Sequence, residues 1–362
     1  MKKIKRILAS VLSLSVMMCA AGCGGAEGSN TAFAGDSSAE ASAEKSAGTS
    51  AKEQPADGKK LSVVCTIFPE YDWVREIAGT TRNVEITCLL DNGVDLHSYQ
   101  PTADDIVKIS TCDLFVYVGG ESDEWVADAL KEATNKDMKV INLMDVMGGK
   151  AKAEELKEGM QEHEHDHEHE EGEEHGHEHE EGEIEYDEHV WLSLKNAGLL
   201  CAEIEKDLAA VDPANADSYK ANLDAYVAKL DTLDNDFRTL VESAGKTTLI
   251  FGDRFPFRYF VDDYGIDYYA AFAGCSAETE ASFETITFLS GKAKELGADT
   301  IYTIENSDGR IAKSVIDAAG TGNMTTAVFN SVQSVTKEQI ESGTTYLSLM
   351  QQNYDTLKAD IG

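Results

Sequence analysis

"DPANADSYKANLDAYVAKLDTLDNDFRTLVESAG", Asp212 to Gly245, is the stretch on which the fold turns. Tyr219, Leu223, Tyr226, Val227, Leu230, Leu233, Phe237 and Leu240 recur at helical spacing and would share one face. Asp212 suits an N-cap, Pro213 suits the first helical position and Gly245 suits a stop. The pattern predicts about thirty residues of uninterrupted helix, roughly 45 Å at 1.5 Å per residue. A single rigid rod of that length allows little movement between whatever it joins.

On each side of it lies a set of apolar, β-branched runs. The first set is "LSVVCTIF", "VEITCLL", "LFVYVG" and "KVINLM"; the second is "TTLIFGD", "DYYAAF", "DTIYTIE" and "MTTAVFN". Runs of this kind read as buried parallel strands, and amphipathic segments such as "FETITFLSGKAKELG" fill the gaps between them. The expected class is α/β: two lobes, each with a roughly four-stranded parallel sheet, joined by one long rigid helix. The boundaries are residues 61–211 for the N-terminal lobe, 212–244 for the linking helix and 245–362 for the C-terminal lobe.

The N-terminus reads as a targeting segment. Lys2, Lys3, Lys5 and Arg6 precede "ILASVLSLSVMMCAA", an apolar run too short for a comfortable membrane span, and "AAGC" follows. Residues 1–22 are expected to be a signal peptide. "AAGC" resembles a lipoprotein cleavage box, which makes Cys23 the lipidated first residue of the mature chain. Residues 23–60 are small and polar and form an expected disordered tether. The body is therefore expected outside the cytoplasm, held to the membrane through a lipid anchor only, as a monomer. Five cysteines remain after Cys23, namely Cys65, Cys88, Cys112, Cys201 and Cys275; an odd number among apolar runs predicts no disulfide framework.

The net charge of −35 is unevenly spread. Between Gln161 and Glu183 there are twelve acidic residues and no Lys or Arg. Such acidity argues against a nucleic-acid partner and for cations. The same segment holds seven of the nine histidines: His163, His165, His167, His169, His175, His177 and His179. Residues 154–186 have no apolar periodicity and are expected to form a mobile acidic loop that binds Zn²⁺ weakly, several ions at a time. A tight cage needs ligands already fixed in geometry, which a loop of this kind lacks.

The two other histidines sit in ordered settings. His97 lies in "LLDNGVDLHSYQPTADD", between the second strand and a helix, and His189 lies in "EIEYDEHVWLSL", between the His-rich segment and another helix. Loops at the C-terminal ends of parallel strands face the ligand crevice of an open α/β sheet.

"DLHSYQPTADD" and "DEHVWLSL" resemble the motifs around the first two metal-binding histidines of the zinc-type solute-binding proteins of ABC transporters, the ZnuA/TroA-like family. The resemblance runs from about Leu61 to the C-terminus. It implies two α/β lobes bridged by a long helix, with His97 and His189 as ligands from the N-terminal lobe. In the family a His, or a Glu in manganese-type members, stands three residues before the Phe of an F-x-Y-F motif. Here the motif is "FRYFVDDYG", and that position is Arg254, which has only donors and cannot hold a cation. Asp253 is the nearest replacement, or else an Asp–Arg pair braces the loop. Cys275, in "AGCSAETE", offers a thiolate that suits zinc, or simply a buried thiol. In "IYTIENSDGRIAKSV" the family's further carboxylate falls first on Glu305 and second on Asp308, which can alternatively cap the next helix. Asp95 and Glu188 are expected to orient the two rings from outside, and Tyr99 and Trp191 to wall the site.

The implied function is a high-affinity extracytoplasmic receptor for Zn²⁺, with Mn²⁺ possible, delivering the ion to an ABC permease and its ATPase. The alternatives are an Mn²⁺-specific receptor, a surface zinc-storage or adhesive protein, and a zinc hydrolase. G-x-S-x-G and P-loop motifs are missing from the sequence, and the H-E-x-x-H spacing occurs only inside the histidine-rich run, at His163 to His167, so no recognised catalytic pattern outside that run supports an enzyme.

Overall fold

The structure is a computed structural model that describes residues 60–81, 83–161, 185–276 and 279–362. The expected leader, Cys23, the tether and His163, His165, His167, His169, His175, His177 and His179 lie outside the described residues.

Each of the eight apolar runs supplies one strand. β1 (Leu61–Cys65), β2 (Val84–Cys88), β3 (Leu114–Tyr117) and β4 (Lys139–Asn142) form a parallel sheet in the order β2-β1-β3-β4. β5 (Thr248–Phe255), β6 (Asp267–Ala273), β7 (Thr300–Thr303) and β8 (Thr325–Val328) repeat that order as β6-β5-β7-β8. Central strands are covered on both faces, so β1 and the Leu249–Phe251 part of β5 hold apolar residues in succession rather than alternating. Parallel register puts the loops that leave β2, β3, β6 and β7 at the C-terminal edges of the two sheets, where the histidine motifs were expected to lie.

The helices are α1 (Phe68–Ala78), α2 (Ala103–Thr111), α3 (Val126–Lys131), α4 (Leu143–Met147), α5 (Leu194–Val211), α6 (Ala216–Ser243), α7 (Arg258–Tyr264), α8 (Phe283–Leu296), α9 (Arg310–Ala319), α10 (Lys337–Glu341) and α11 (Tyr346–Ile361). The long helix is α6, 28 residues, or about 42 Å. It starts later than its sequence implies because Pro213–Asn215 forms a separate tight turn. Asp212 does not cap it; its Oδ2 accepts from Asn215 Nδ2 and from the Tyr219 hydroxyl, both at 2.7 Å. Tyr219, Leu223, Tyr226, Leu230, Leu233, Phe237 and Leu240 are buried along one face, as their spacing requires.

A second crossing was not legible in the sequence. α11 returns to the first lobe, where the Tyr346 amide donates to Asp72 Oδ2 (2.7 Å) and its hydroxyl to the Trp191 carbonyl (2.6 Å). The Tyr346 ring meets Trp73 edge-on at 5.2 Å. One apolar core therefore runs through both lobes, from Leu61 to Leu357, with a satellite cluster around Ile250, Leu289 and Val315 on the second sheet. Each large side chain fully buried there contributes roughly 1.5–3 kcal/mol, so prising the lobes apart is costly.

Part of the segment expected to be loose is held. Ala153 bridges Tyr186 in an antiparallel pair, flanked by Glu154 N to Glu185 O and Asp187 N to Lys152 O, both 2.9 Å. Residues 155–161 then run along the exposed edge of β6: Lys157 pairs with Asp267, the Tyr268 hydroxyl donates to Glu155 (3.1 Å), and the Gln161 amide donates to the Ala271 carbonyl (3.0 Å). An edge strand has unpaired backbone groups to offer, and this limb takes them despite its polar composition. The five described cysteines are all free thiols.

Candidate metal centre

His97 sits in a single tight turn, Leu96–Ser98, after β2. Leu96 is fully buried beneath it, and Asp95 Oδ1 accepts the His97 amide at 3.0 Å, which fixes the turn. The ring's Nδ1 lies 2.7 Å from Ser122 Oγ, and the Ser122 amide donates to Glu188 Oε1 at 3.0 Å. His189 is fully buried and precedes the turn that leads into α5. Asp187 Oδ1 accepts both its amide (2.9 Å) and its Nδ1–H (3.1 Å), which leaves the Nε2 lone pair free to bind. Trp191 backs the ring at 5.1 Å, and its indole donates to the Ser331 carbonyl at 2.8 Å.

The two rings point their Nε2 atoms at each other, 3.2 Å apart. Two nitrogens bound at about 2.05 Å to one tetrahedral zinc would stand roughly 3.3 Å apart. Cys275 completes the group: His97, His189 and Cys275 each offer a ligand atom, all within 4.8 Å of one another. Its loop reaches the rings because residue 274 is glycine. A Cβ there would lie 2.9 Å from the Phe255 carbonyl and 3.1 Å from His189 Cε1. The Cys275 amide donates to Glu154 Oε1 at 3.0 Å.

Burial, reinforced by the charge of neighbouring His189, pushes His97 down to about 3, so its ring is neutral and ready to bind at ordinary pH. Burial pushes the Cys275 thiol well up, and Asp187, Glu154 and Glu188 add to the effect. The same carboxylates that disfavour a bare thiolate favour a divalent cation beside it.

The other expected ligands are elsewhere. Glu305 has both oxygens occupied by Ser331, with Oε2 accepting the amide and Oε1 the hydroxyl, each at 2.7 Å. Asp253 accepts the Arg254 amide (2.9 Å) and the Ile304 amide (3.4 Å) along the backbone of its own sheet. Asp308 is exposed and accepts the Arg310 amide at 2.9 Å, but the N-cap of α9 is Gly309, so Asp308 stands one residue before the capping position. None of the three joins the group of His97 and His189. The Arg254 guanidinium pairs with Asp95 across the cleft, not with Asp253, and Gln333 donates to the same carboxylate at 3.2 Å. Although burial works against it, Arg254 and His97 hold Asp95 below the usual carboxylate range. The ring-orienting role expected of Asp95 and Glu188 therefore falls to Asp187 for His189 and to Ser122, seated on Glu188, for His97. Tyr99 packs on Trp125 at 5.9 Å and bonds Asp105.

The family model for the periplasmic zinc-uptake complex component A, ZnuA, matches residues 63–360. The chain belongs to the ZnuA family. It is 30% identical over 313 residues to the zinc-binding protein AdcA of Streptococcus pyogenes serotype M18, a match that covers 86% of this chain and 58% of that one. It is 31% identical over 316 residues to the high-affinity zinc uptake system protein ZnuA of Bacillus subtilis, covering 87% and 92%. The chain thus spans little more than half the length of the AdcA relatives and nearly the whole of the Bacillus one. Among solved structures, the Zn(II)-bound ZnuA-like domain of Streptococcus pneumoniae AdcA superposes with a TM-score of 0.63 at 27% identity, over 83% of this chain and 99% of that domain. The laminin-binding adhesin Lmb of Streptococcus agalactiae shares the fold, with a TM-score of 0.66 at 21% identity, over 83% of this chain and all of that one.

Proposed function

We propose that the chain is the zinc receptor of an uptake system, holding the ion between His97, His189 and Cys275. The observation that carries this reading is the 3.2 Å separation of two Nε2 atoms from loops 92 residues apart, a distance that one tetrahedral zinc would impose. Two neutral imidazoles and a thiolate leave a fourth position for water or another oxygen. Borderline nitrogen with soft sulfur favours Zn²⁺ over Mn²⁺, which prefers oxygen. The zinc-binding names of the AdcA and ZnuA relatives agree with the donor set.

In this reading the body is extracytoplasmic, tethered through lipidated Cys23, monomeric, and delivers its ion to an ABC permease driven by an ATPase. One of the longer relatives, AdcA of Streptococcus pneumoniae, is described as a lipoprotein. No helix among the described residues is long and apolar enough to cross a membrane. The shared core and the two rigid crossings imply release by local loop movement rather than by wide separation of the lobes. Calorimetric titration with Zn²⁺ and with Mn²⁺ tests the assignment. One tight zinc equivalent, lost in His97→Ala and in His189→Ala, is expected; a protein with only weak zinc equivalents would not be a receptor.

A further inference from the structure

His97 lines two separate cavities, so the ligand group stands between them. They differ in charge. The larger, about 490 Å³, has Arg254 and Arg310 in its wall, each beside its own carboxylate partner. The smaller, about 230 Å³, is lined by Glu121, Glu154, Glu185 and Glu188 with Ser122, Tyr186, His97 and Cys275, and among the described residues by no Lys or Arg. A cation approaching through the first meets two guanidinium groups set among Asp95, Asp253 and Asp308. Through the second it meets carboxylates all the way to the thiol.

A cluster of acids is ordinary on a surface; Glu188 is not. Its side chain is 2% exposed, and its Oε2 is buried with no hydrogen-bond partner. Leaving a carboxylate oxygen desolvated and unpaired is expensive, and the usual reason is a missing cation or water. His97 does not partner it, because its Nδ1 is 3.8 Å away and is engaged instead by Ser122 Oγ at 2.7 Å. Nor is Glu188 a ligand of the triad's own ion, since it lies behind His97, on the Nδ1 side, whereas the triad converges at Nε2. At about 30 Å³ per water the cavity has room for roughly seven waters, enough for a hydrated divalent ion in its first shell.

We infer that this carboxylate-lined cavity is a second divalent-cation site, a weak vestibule in which an incoming hydrated ion is held by Glu188, Glu185 and their neighbours before it sheds water and passes to His97, His189 and Cys275. The inference rests on the triad being the high-affinity site. Carboxylates bind such ions through water and release them readily, while the nitrogen and sulfur donors beyond bind more tightly, so transfer runs inward. Glu154 touches both stages: it walls the vestibule, and its Oε1 accepts the Cys275 amide.

The test is stopped-flow mixing of the metal-free full chain with Co²⁺, following the thiolate-to-cobalt charge-transfer band that reports arrival at Cys275. In the wild type the observed rate should rise with Co²⁺ and level off, as loading from a filled vestibule requires. In Glu185→Gln, and more so in Glu188→Gln/Glu185→Gln, the rate should become linear in Co²⁺ with an initial slope about tenfold lower. Glu185→Gln should reach the wild-type final absorbance. Glutamine at 188 keeps an acceptor for the Ser122 amide, and the exposed position 185 carries no folding risk, so loss of structure would not mimic the result. A band that forms with wild-type saturation in both variants, or with a linear rate in the wild type, overturns the vestibule alone. No band in the wild type overturns the ligand set itself, and the vestibule with it.

Discussion

The two lobes are built on the same strand order, yet they furnish the cleft in opposite ways. The first lobe brings two imidazoles to its edge and clears them for binding: His97 is neutral through burial, and His189 is turned by Asp187 so that Nε2 faces the cleft. The second lobe brings mostly acids, and nearly all of them are already spoken for. Ser331 takes both oxygens of Glu305, backbone amides take Asp253, and Arg310 takes Asp308. Among the described residues, its one donor grouped with the imidazoles is the Cys275 thiol. A carboxylate at a strand end is therefore not yet a ligand; what matters is whether the fold leaves its lone pairs free.

The sharpest way to break this contrast is to remove an imidazole. His189→Ala deletes a ligand with no neighbour able to replace it, and zinc affinity in calorimetry should fall roughly a thousandfold, about 4 kcal/mol. Unchanged affinity would mean the ion binds elsewhere. Cys275→Ser keeps the volume but trades thiolate for a poor hydroxyl ligand, and affinity should fall on the order of a hundredfold, with the cobalt charge-transfer band lost.

Proton release sharpens the same point. With its pKa raised, Cys275 is a protonated thiol in the free protein at pH 7 and must lose that proton when zinc binds. His97, held at about 3, is already neutral and releases nothing. One proton per zinc should therefore appear when titrations are compared in buffers of different ionisation enthalpy, and affinity should rise about tenfold per pH unit between pH 7 and 8. Cys275→Ser should abolish the release. The smallest effect belongs to Glu305. Burial pushes its carboxyl up, and its role is to hold Ser331, which in turn holds the Trp191 indole behind His189. Glu305→Gln preserves the acceptor for the Ser331 amide, and zinc affinity should change by no more than about threefold. A hundredfold loss would return Glu305 to the ligand set.

The eight strands and the long helix were legible because apolar runs and a three-to-four spacing over Tyr219 to Leu240 are local signals. His97 and His189 were legible because each lies in a distinctive stretch at a loop-to-helix junction. The return of α11 onto Trp73 and Asp72 was not, since nothing in "TYLSLMQQNYDTLKADIG" says which lobe it covers. Residues 155–161 read as loose because their anchorage is to the edge of β6, a tertiary fact. The third member of the proposed ligand set was the hardest. Glu305 and Cys275 follow strands at the crevice and Asp253 lies near the end of β5, and only the path of the Gly274 turn and the position of Ser331 separate them.

The central claim is that sulfur shares the ion with two imidazoles. X-ray absorption at the zinc edge of the protein loaded with one equivalent tests it directly. The account requires one sulfur at about 2.3 Å and two imidazole nitrogens at about 2.0–2.1 Å. A first shell of nitrogen and oxygen alone would contradict it.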